Sequence, residues 1–227
     1  GQESSFRLSN LMLAAYILSE YRSPTVALVQ MIKEHCRRIY PTISYAIAQD
    51  NNHGTSEVTA LFVAGAWMKL ARLDNAETNR WLRRGRAGLE ERLKKLIAKD
   101  GSFSQHSVNY HRLFLDTISL AEFWRLKCDL PGFSEDFYES ALAAFNWLFQ
   151  MTNPVTGAAP NLGANDGAQL IQLADSDYRD FRPSVQLASV LFQKKRVYIK
   201  ECDGVLRWLR IDVEKIPESE INRCSKL

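Results

Sequence analysis

Residues 56–73, with the sequence SEVTALFVAGAWMKLARL, are strongly apolar. Apolar side chains recur there at helical spacing and leave almost no polar face, which predicts a helix buried on most sides. Amphipathic helical patterns precede and follow this stretch, and almost no segment alternates like a strand. These patterns occupy 8–20, 24–40, 76–99, 110–127 and 135–151. The sequence therefore predicts an all-α fold.

Shorter segments complete the predicted elements. Helices are expected at 168–173 and 183–193, and 205–211 is read as a short strand or helix within an uncertain tail, 196–227. Long helices joined by short turns are typical of antiparallel helix pairs. We therefore predict an incomplete (α/α) toroid of helical hairpins, forming one domain over 1–227.

Polar loops follow alternate long helices. Alternate connections of a hairpin array emerge on the same face, so the polar loops 50–54, 101–109 and 152–167 are expected together at one end. This is the geometric reason for seeking one site in three separate segments.

Charge and cysteine content narrow the class of protein. The net charge is +3, and basic residues alternate with acidic ones, which is typical of solvated helix faces and predicts no nucleic-acid partner. No apolar run approaches the roughly 20 residues of a membrane span. The four cysteines lack zinc-ligand spacing, so they are expected to be buried free thiols, with one disulfide as the alternative. They are Cys36, Cys128, Cys202 and Cys224.

The first polar cluster is Asn51-Asn52-His53-Gly54. His53 and Glu57 are four residues apart, so on a helix the carboxylate could fix the imidazole tautomer. The alternative is ordinary capping of a helix start by Asn51 or Asn52, with His53 exposed in the first turn.

The second cluster, residues 105–112, combines Gln, His, Asn, Tyr and Arg side chains. Tyr110 could exchange a proton if its pKa fell, and Arg112 with the neighbouring imidazoles of His106 and His111 is predicted to lower it. The alternative is a tyrosine at a helix start whose hydroxyl is bonded to the backbone.

The third segment, 161–167, reads as a turn or a helix cap unless it joins the other two, in which case Asp166 could orient a histidine or bind a sugar hydroxyl. Acids at Asp175, Asp177 and Asp180 have a metal-like spacing but lack the glycine and final glutamate of a calcium loop, so a solvated loop is expected. Motifs for serine or cysteine nucleophiles and for nucleotide phosphates do not occur.

In order and spacing, three segments resemble the heparinase II/III-like polysaccharide lyases, alginate lyases included. These are Asn51-Asn52-His53 with Glu57, then Asp100-Gly101-Ser102 leading to Tyr110-His111-Arg112, then 161–167 (NLGANDG). The resemblance implies an α/α-toroid followed by an antiparallel β-sheet domain. It further implies β-elimination on acidic, uronic-acid-containing polysaccharides, without cofactor or metal, in a bacterial periplasmic or secreted protein.

The resemblance also implies residue roles. Asn52 and His53 would contact and neutralise the uronate carboxylate, and Tyr110 would be the catalytic acid and a candidate for the base as well. Substrate-binding or supporting roles fall to Asn51, Glu57, Gln105, His106, His111, Arg112, Asn165 and Asp166. A further catalytic histidine is expected in the β-sheet domain, so this chain would hold half of a catalytic centre.

Two other functions stay open at this point. One is a non-catalytic carbohydrate-binding or polysaccharide-biosynthesis accessory module, favoured by aromatic residues that could stack on sugars. These are Tyr45, Trp67, Trp81, Trp124, Trp147 and Tyr178, although most lie on apolar helix faces typical of a core. The other is an inverting glycoside hydrolase, which needs two carboxylic acids; Asp50, Glu57 and Asp166 are its candidates.

Overall fold

A computed structural model describes residues 1–219 of the chain and confirms the all-α class. Within those residues, β-structure is limited to two isolated bridges, Ile97–Phe103 and Arg196–Glu218. The α-helices of the same residues are α1 (Gln2–Ile17), α2 (Val26–Ile39), α3 (Ile43–Ala48), α4 (Asn52–Leu70), α5 (Ala76–Leu96), α6 (Val108–Lys127), α7 (Glu135–Met151), α8 (Arg182–Gln193) and α9 (Gly204–Trp208).

The chain divides into two compact units. The first comprises Gly1–Leu96 and Leu120–Phe137, and the second comprises Ile97–Ser119 and the chain from Tyr138 onward. Residues of α6 and α7 therefore contribute to both units. The single domain predicted over 1–227 stays a prediction.

In the first unit, α4 is the central helix. Its side chains are buried almost from end to end, as the apolar sequence predicts. Helices α1, α2, α3 and α5 all pack against it. Gly65 of α4 and Gly85 of α5 lie where the two helices meet and bring backbone close to backbone, and Gly88 of α5 lies against the Val58 side chain.

The second unit contains the start of α6, most of α7, and the helices α8 and α9. A long irregular segment, 152–181, connects α7 to α8. The predicted helix at 168–173 is wrong, because this part of the segment has no helical hydrogen bonding and buries Leu170 and Ile171 from irregular backbone. The uncertain segment 205–211 is helical through Trp208, in α9.

The described cysteines Cys36, Cys128 and Cys202 are free thiols, and Cys224 lies outside the described residues. Burial raises the pKa of Cys128 to about 12, so this thiol stays protonated at neutral pH. None of the helices within residues 1–219 is long and apolar enough to cross a membrane.

Candidate functional site

In the first unit, the polar cluster begins α4. Asn51 is the N-cap, and its side-chain oxygen accepts the His53 N–H at 2.9 Å. This satisfies one of the free N–H groups of the first turn, which is the capping role the sequence left open. Asn52 is 4% exposed and His53 is half-buried, so His53 offers more surface to a ligand.

Glu57 does not hold His53 as predicted. Its Oε2 atom is buried with no hydrogen-bond partner, and burial raises the pKa of this carboxyl. A carboxyl kept out of water in this way favours its neutral form. Glu57 is 3% exposed, whereas His53, four residues earlier on α4, is half-buried.

Asp50, next to the cluster, is tied into an ion-pair network. Its carboxylate binds Arg92 Nη1 and Lys95 Nζ, both at 2.7 Å. Hydrogen bonds from Lys95 and then Arg92 lower the pKa of Asp50. A carboxylate held in its charged form can serve an inverting hydrolase only as the base and not as the acid.

In the second unit, the loop 161–167 packs directly on the start of α6. The Ser107 hydroxyl donates to the Ala164 carbonyl at 2.5 Å and accepts the Tyr110 N–H at 3.1 Å. The Val108 N–H donates to the Leu162 carbonyl at 3.1 Å. The predicted approach of 101–109 to 152–167 is therefore present.

This contact brings Tyr110 to Asp166. The Tyr110 hydroxyl donates to Asp166 Oδ2 at 2.8 Å, and the phenol ring is half-buried while Asp166 is exposed. An acid and a potential base thus meet at the surface, within one hydrogen bond. Tyr110 and Asp166 are thus two predicted site residues whose side chains are joined by a direct hydrogen bond.

The pKa of Tyr110 shifts in the opposite direction from the prediction. The hydrogen bond to Asp166 raises the pKa of Tyr110, and partial burial adds to the effect. A phenol that donates to a carboxylate holds its proton more tightly. Tyr110 is therefore a protonated acid at neutral pH and not a phenolate.

Arg112 and His111 do not lie against the Tyr110 hydroxyl, because successive residues of a helix point in different directions. Arg112 is fully buried, and its guanidinium lies 4.4 Å from the Tyr178 ring centroid and 4.3 Å from that of Phe181. Arg112 also donates to the Tyr178 carbonyl and to Asn109 Oδ1, so neither residue lowers the pKa of Tyr110 as predicted.

His111 is 1% exposed and stacks on Trp147, with ring centroids 4.5 Å apart. One ring nitrogen, Nε2, lies 2.8 Å from the Ala144 carbonyl, which fixes it as the donor. Burial lowers the pKa of His111 from 6.5 to about 4. The ring is therefore neutral at physiological pH.

In the His111→Gln variant, the free energy of unfolding is expected to fall less steeply than in the wild type as the pH is lowered. The folded-state pKa of His111 is depressed, so its contribution is complete above pH 6.5 and is lost as pH falls toward 4. The difference between the unfolded and folded pKa values of His111 corresponds to about 3 kcal/mol in the free energy of unfolding. Urea unfolding of both proteins at several pH values measures it, and parallel profiles from pH 6.5 to 4 would contradict a neutral buried His111.

Asp116 lies one turn further along α6 and is fully buried. Burial raises the pKa of Asp116 to about 6, while Arg112 and the Ser184 hydroxyl favour its charged form. Neither carboxylate oxygen has a hydrogen bond of ordinary geometry. The burial of Asp116 could not be predicted from the sequence, because a lone acid in an amphipathic helix normally faces water.

Gln105 is half-buried and His106 is exposed with a φ of 51°, in the left-handed region. The remaining predicted residue, Asn165, accepts the Gly167 N–H at 3.1 Å and donates to Asn161 Oδ1 at 2.8 Å. These bonds shape the turn that carries Asp166.

Gly163→Ala is expected to detach this loop from α6. An added Cβ would lie 2.2 Å from the His106 carbonyl oxygen, which belongs to the backbone and cannot move cheaply. Gly167→Ala is the matched control, since Gly167 has a similar φ of 80° and no atom within 4 Å of that position.

Both variants carry the strain of a side chain at positive φ, about 1–2 kcal/mol. Only Gly163→Ala adds overpacking, so its free energy of unfolding in urea should fall by a further 2 kcal/mol or so. Equal losses in the two variants would show that the loop does not depend on this close approach.

The acids Asp175, Asp177 and Asp180 do not form a metal centre. Asp180 is paired with Arg182 at 2.8 Å, and Asp177 accepts the Arg179 N–H at 2.8 Å. In the part of the chain that the structure describes, no cluster of three or more His, Cys, Asp or Glu side chains could hold a metal ion.

Three of the six aromatic residues that could stack on sugars are core residues, as their helix faces predict, and Trp147 is half-buried. Trp67, Trp81 and Trp124 are buried, whereas Tyr45 is 74% exposed. Tyr178 is half-buried and takes part in the polar network around Asn109. In comparisons with family models, with curated proteins and with solved structures, nothing matches the chain.

Proposed function

We propose that this chain is the helical part of a polysaccharide lyase that cleaves uronic-acid-containing glycans by β-elimination. The observation that carries the proposal is the 2.8 Å hydrogen bond from Tyr110 to Asp166 at an accessible surface of the second unit. The resemblance of three sequence segments to heparinase II/III-like lyases supplies the substrate class.

The pair can complete a proton cycle. Asp166 takes the proton from C5 of the uronate, a C4–C5 double bond forms, and the bond from C4 to the glycosidic oxygen breaks. Tyr110 donates its phenolic proton to that leaving oxygen, which general acid catalysis requires. The proton on Asp166 then returns to the phenolate through their hydrogen bond, and both residues regain their starting forms.

The raised pKa makes Tyr110 a weaker acid than an ordinary tyrosine, so its proton can pass only to a strongly basic leaving oxygen. The phenol keeps its proton at neutral pH until the leaving oxygen develops negative charge. Neutralising the uronate carboxylate makes the C5 proton more acidic, and the resemblance assigns that task to Asn52 and His53. The variants Asn52→Ala and His53→Ala test this carboxylate-neutralising role independently of Tyr110→Phe.

The experiment is incubation of the protein with alginate, heparan sulfate and a bacterial acidic exopolysaccharide. Ultraviolet absorbance of the unsaturated uronate and the yield of new reducing ends are recorded together. We expect the two signals to rise in equal amounts. Reducing ends without absorbance would mean hydrolysis and would overturn the proposal.

A second function, a non-catalytic glycan-binding module, is favoured by one observation. The second unit has a cavity of about 340 Å³ whose wall includes Asn109, Asn165 and Tyr178. Amide and phenol groups of this kind bind sugar hydroxyls in either function. Glycan binding without any new chain ends in the same experiment would favour the module.

A further inference from the structure

The cavity of about 340 Å³ in the second unit has a size suited to a small ligand, within the roughly 300–1,000 Å³ typical of such sites. Five polar residues contribute to its wall: Asn109, Asn161, Asn165, Tyr178 and Arg179. Tyr110 is not among them. The wall of the cavity includes polar groups whose hydrogen-bonding capacity is not fully satisfied within the protein.

Asn109 is the first such group. It is 3% exposed, and its Oδ1 accepts from Arg112 Nη2 at 3.0 Å and lies 2.6 Å from the Tyr178 hydroxyl. The Arg112 bond fixes which end of the amide is oxygen, since guanidinium can only donate. The Nδ2 atom of Asn109 is left buried without a partner. A buried donor of this kind calls for an acceptor oxygen.

Tyr178 provides the complementary group. Its hydroxyl lies 2.6 Å from Asn109 Oδ1 and 2.7 Å from Asn165 Oδ1. One phenolic proton can serve only one of these oxygens at a time. The network therefore has one buried donor without a partner and an acceptor oxygen with spare capacity. A sugar hydroxyl that enters the cavity can donate to such an oxygen.

Arg179 adds charge to this wall. Its side chain is exposed and forms no ion pair within residues 1–219, and the neighbouring Asp180 pairs with Arg182. A free guanidinium binds a carboxylate through two parallel hydrogen bonds. Charge and hydroxyl-binding groups thus meet in one cavity.

We propose that this cavity binds one uronic acid residue, with Arg179 on the carboxylate and with Asn109, Asn165 and Tyr178 on the hydroxyls. The inference rests on the proposed function and adds to it a binding subsite that does not include Tyr110. Arg179 could not be predicted from the sequence, because nothing distinguishes it from the other basic residues of a polar loop.

The test is an NMR titration of the protein with glucuronate, glucose and acetate. We expect glucuronate to bind and Arg179→Gln to weaken that binding about tenfold or more, since a charge-assisted pair is lost. Glucose binding should stay within about twofold in the variant because its hydroxyl contacts remain. Arg207→Gln is the matched control: Arg207 is an exposed arginine of the same unit that does not line the cavity.

Four outcomes decide between the inference and the proposed function. Equal glucuronate affinity in the wild type and Arg179→Gln overturns the inference, as does acetate binding as tight as glucuronate. Polymer elimination that is indifferent to Arg179→Gln also overturns the subsite and leaves the lyase standing. Arg179-dependent glucuronate binding without any elimination supports the subsite and favours the glycan-binding module over the lyase.

Discussion

Tyr110→Phe is expected to lower the rate of elimination by about 100- to 10,000-fold, the usual contribution of a general acid. The substitution removes only the hydroxyl that donates to Asp166 Oδ2 at 2.8 Å. The leaving oxygen then loses the phenolic donor, and the proton that Asp166 has taken from C5 has no phenolate to return to. The ring and its packing remain.

The measurement is the initial rate of unsaturated product formation at saturating polysaccharide. Tyr45→Phe serves as the control, because Tyr45 is 74% exposed and lies in the first unit, in α3. Thermal unfolding of both variants should match the wild type. A Tyr110→Phe protein that keeps its rate within about twofold would rule out Tyr110 as the acid.

Gly85→Ala is expected to destabilise the protein by about 3 kcal/mol or more. An added Cβ would lie 2.4 Å from the Phe62 backbone nitrogen and 2.6 Å from the Val58 carbonyl oxygen. Both atoms belong to α4, so α5 would have to move away from the central helix. Overpacking against backbone falls at or beyond the upper end of the typical range of about 1–3 kcal/mol.

Helix propensity acts in the opposite direction, since alanine favours an interior helical position over glycine by about 0.5–1 kcal/mol. Gly204→Ala, at the start of α9, separates the two effects because the nearest atom there is 3.7 Å from the added Cβ. Urea unfolding should show a large loss for Gly85→Ala and little change for Gly204→Ala. Similar values would mean that α4 and α5 are not held together at Gly85.

The helices could be predicted because burial on one face leaves a regular pattern. The bounds of α7, 135–151, follow directly from it, and α4 begins four residues before its predicted start because Asn51 caps it. The short helix α3 was missed, since it follows Pro41 and a single turn has too few residues to show a period. Residues 168–173 were predicted as helix because buried apolar residues in irregular backbone resemble a helical face.

The sequence could predict which segments form the site, but not which of their side chains meet. Loop spacing indicated that 152–167 approaches 101–109, and Tyr110 does meet Asp166. Side-chain direction was the missing information: His111 and Arg112 follow Tyr110 in sequence, yet each is buried against other partners. The pKa of Tyr110 depends on those directions, so its sign could not be read from neighbouring residue types.

The burial of α4 determines how natural variation in this chain should be interpreted. Every residue from Gly54 to Met68 is buried, so packing alone would restrict substitution there in any set of homologous sequences. Invariance along α4 would thus carry no information about a ligand. Asn51 and His53 are half-exposed at its first turn, and selection against change at His53, which the cap does not explain, would record an evolutionary demand other than folding.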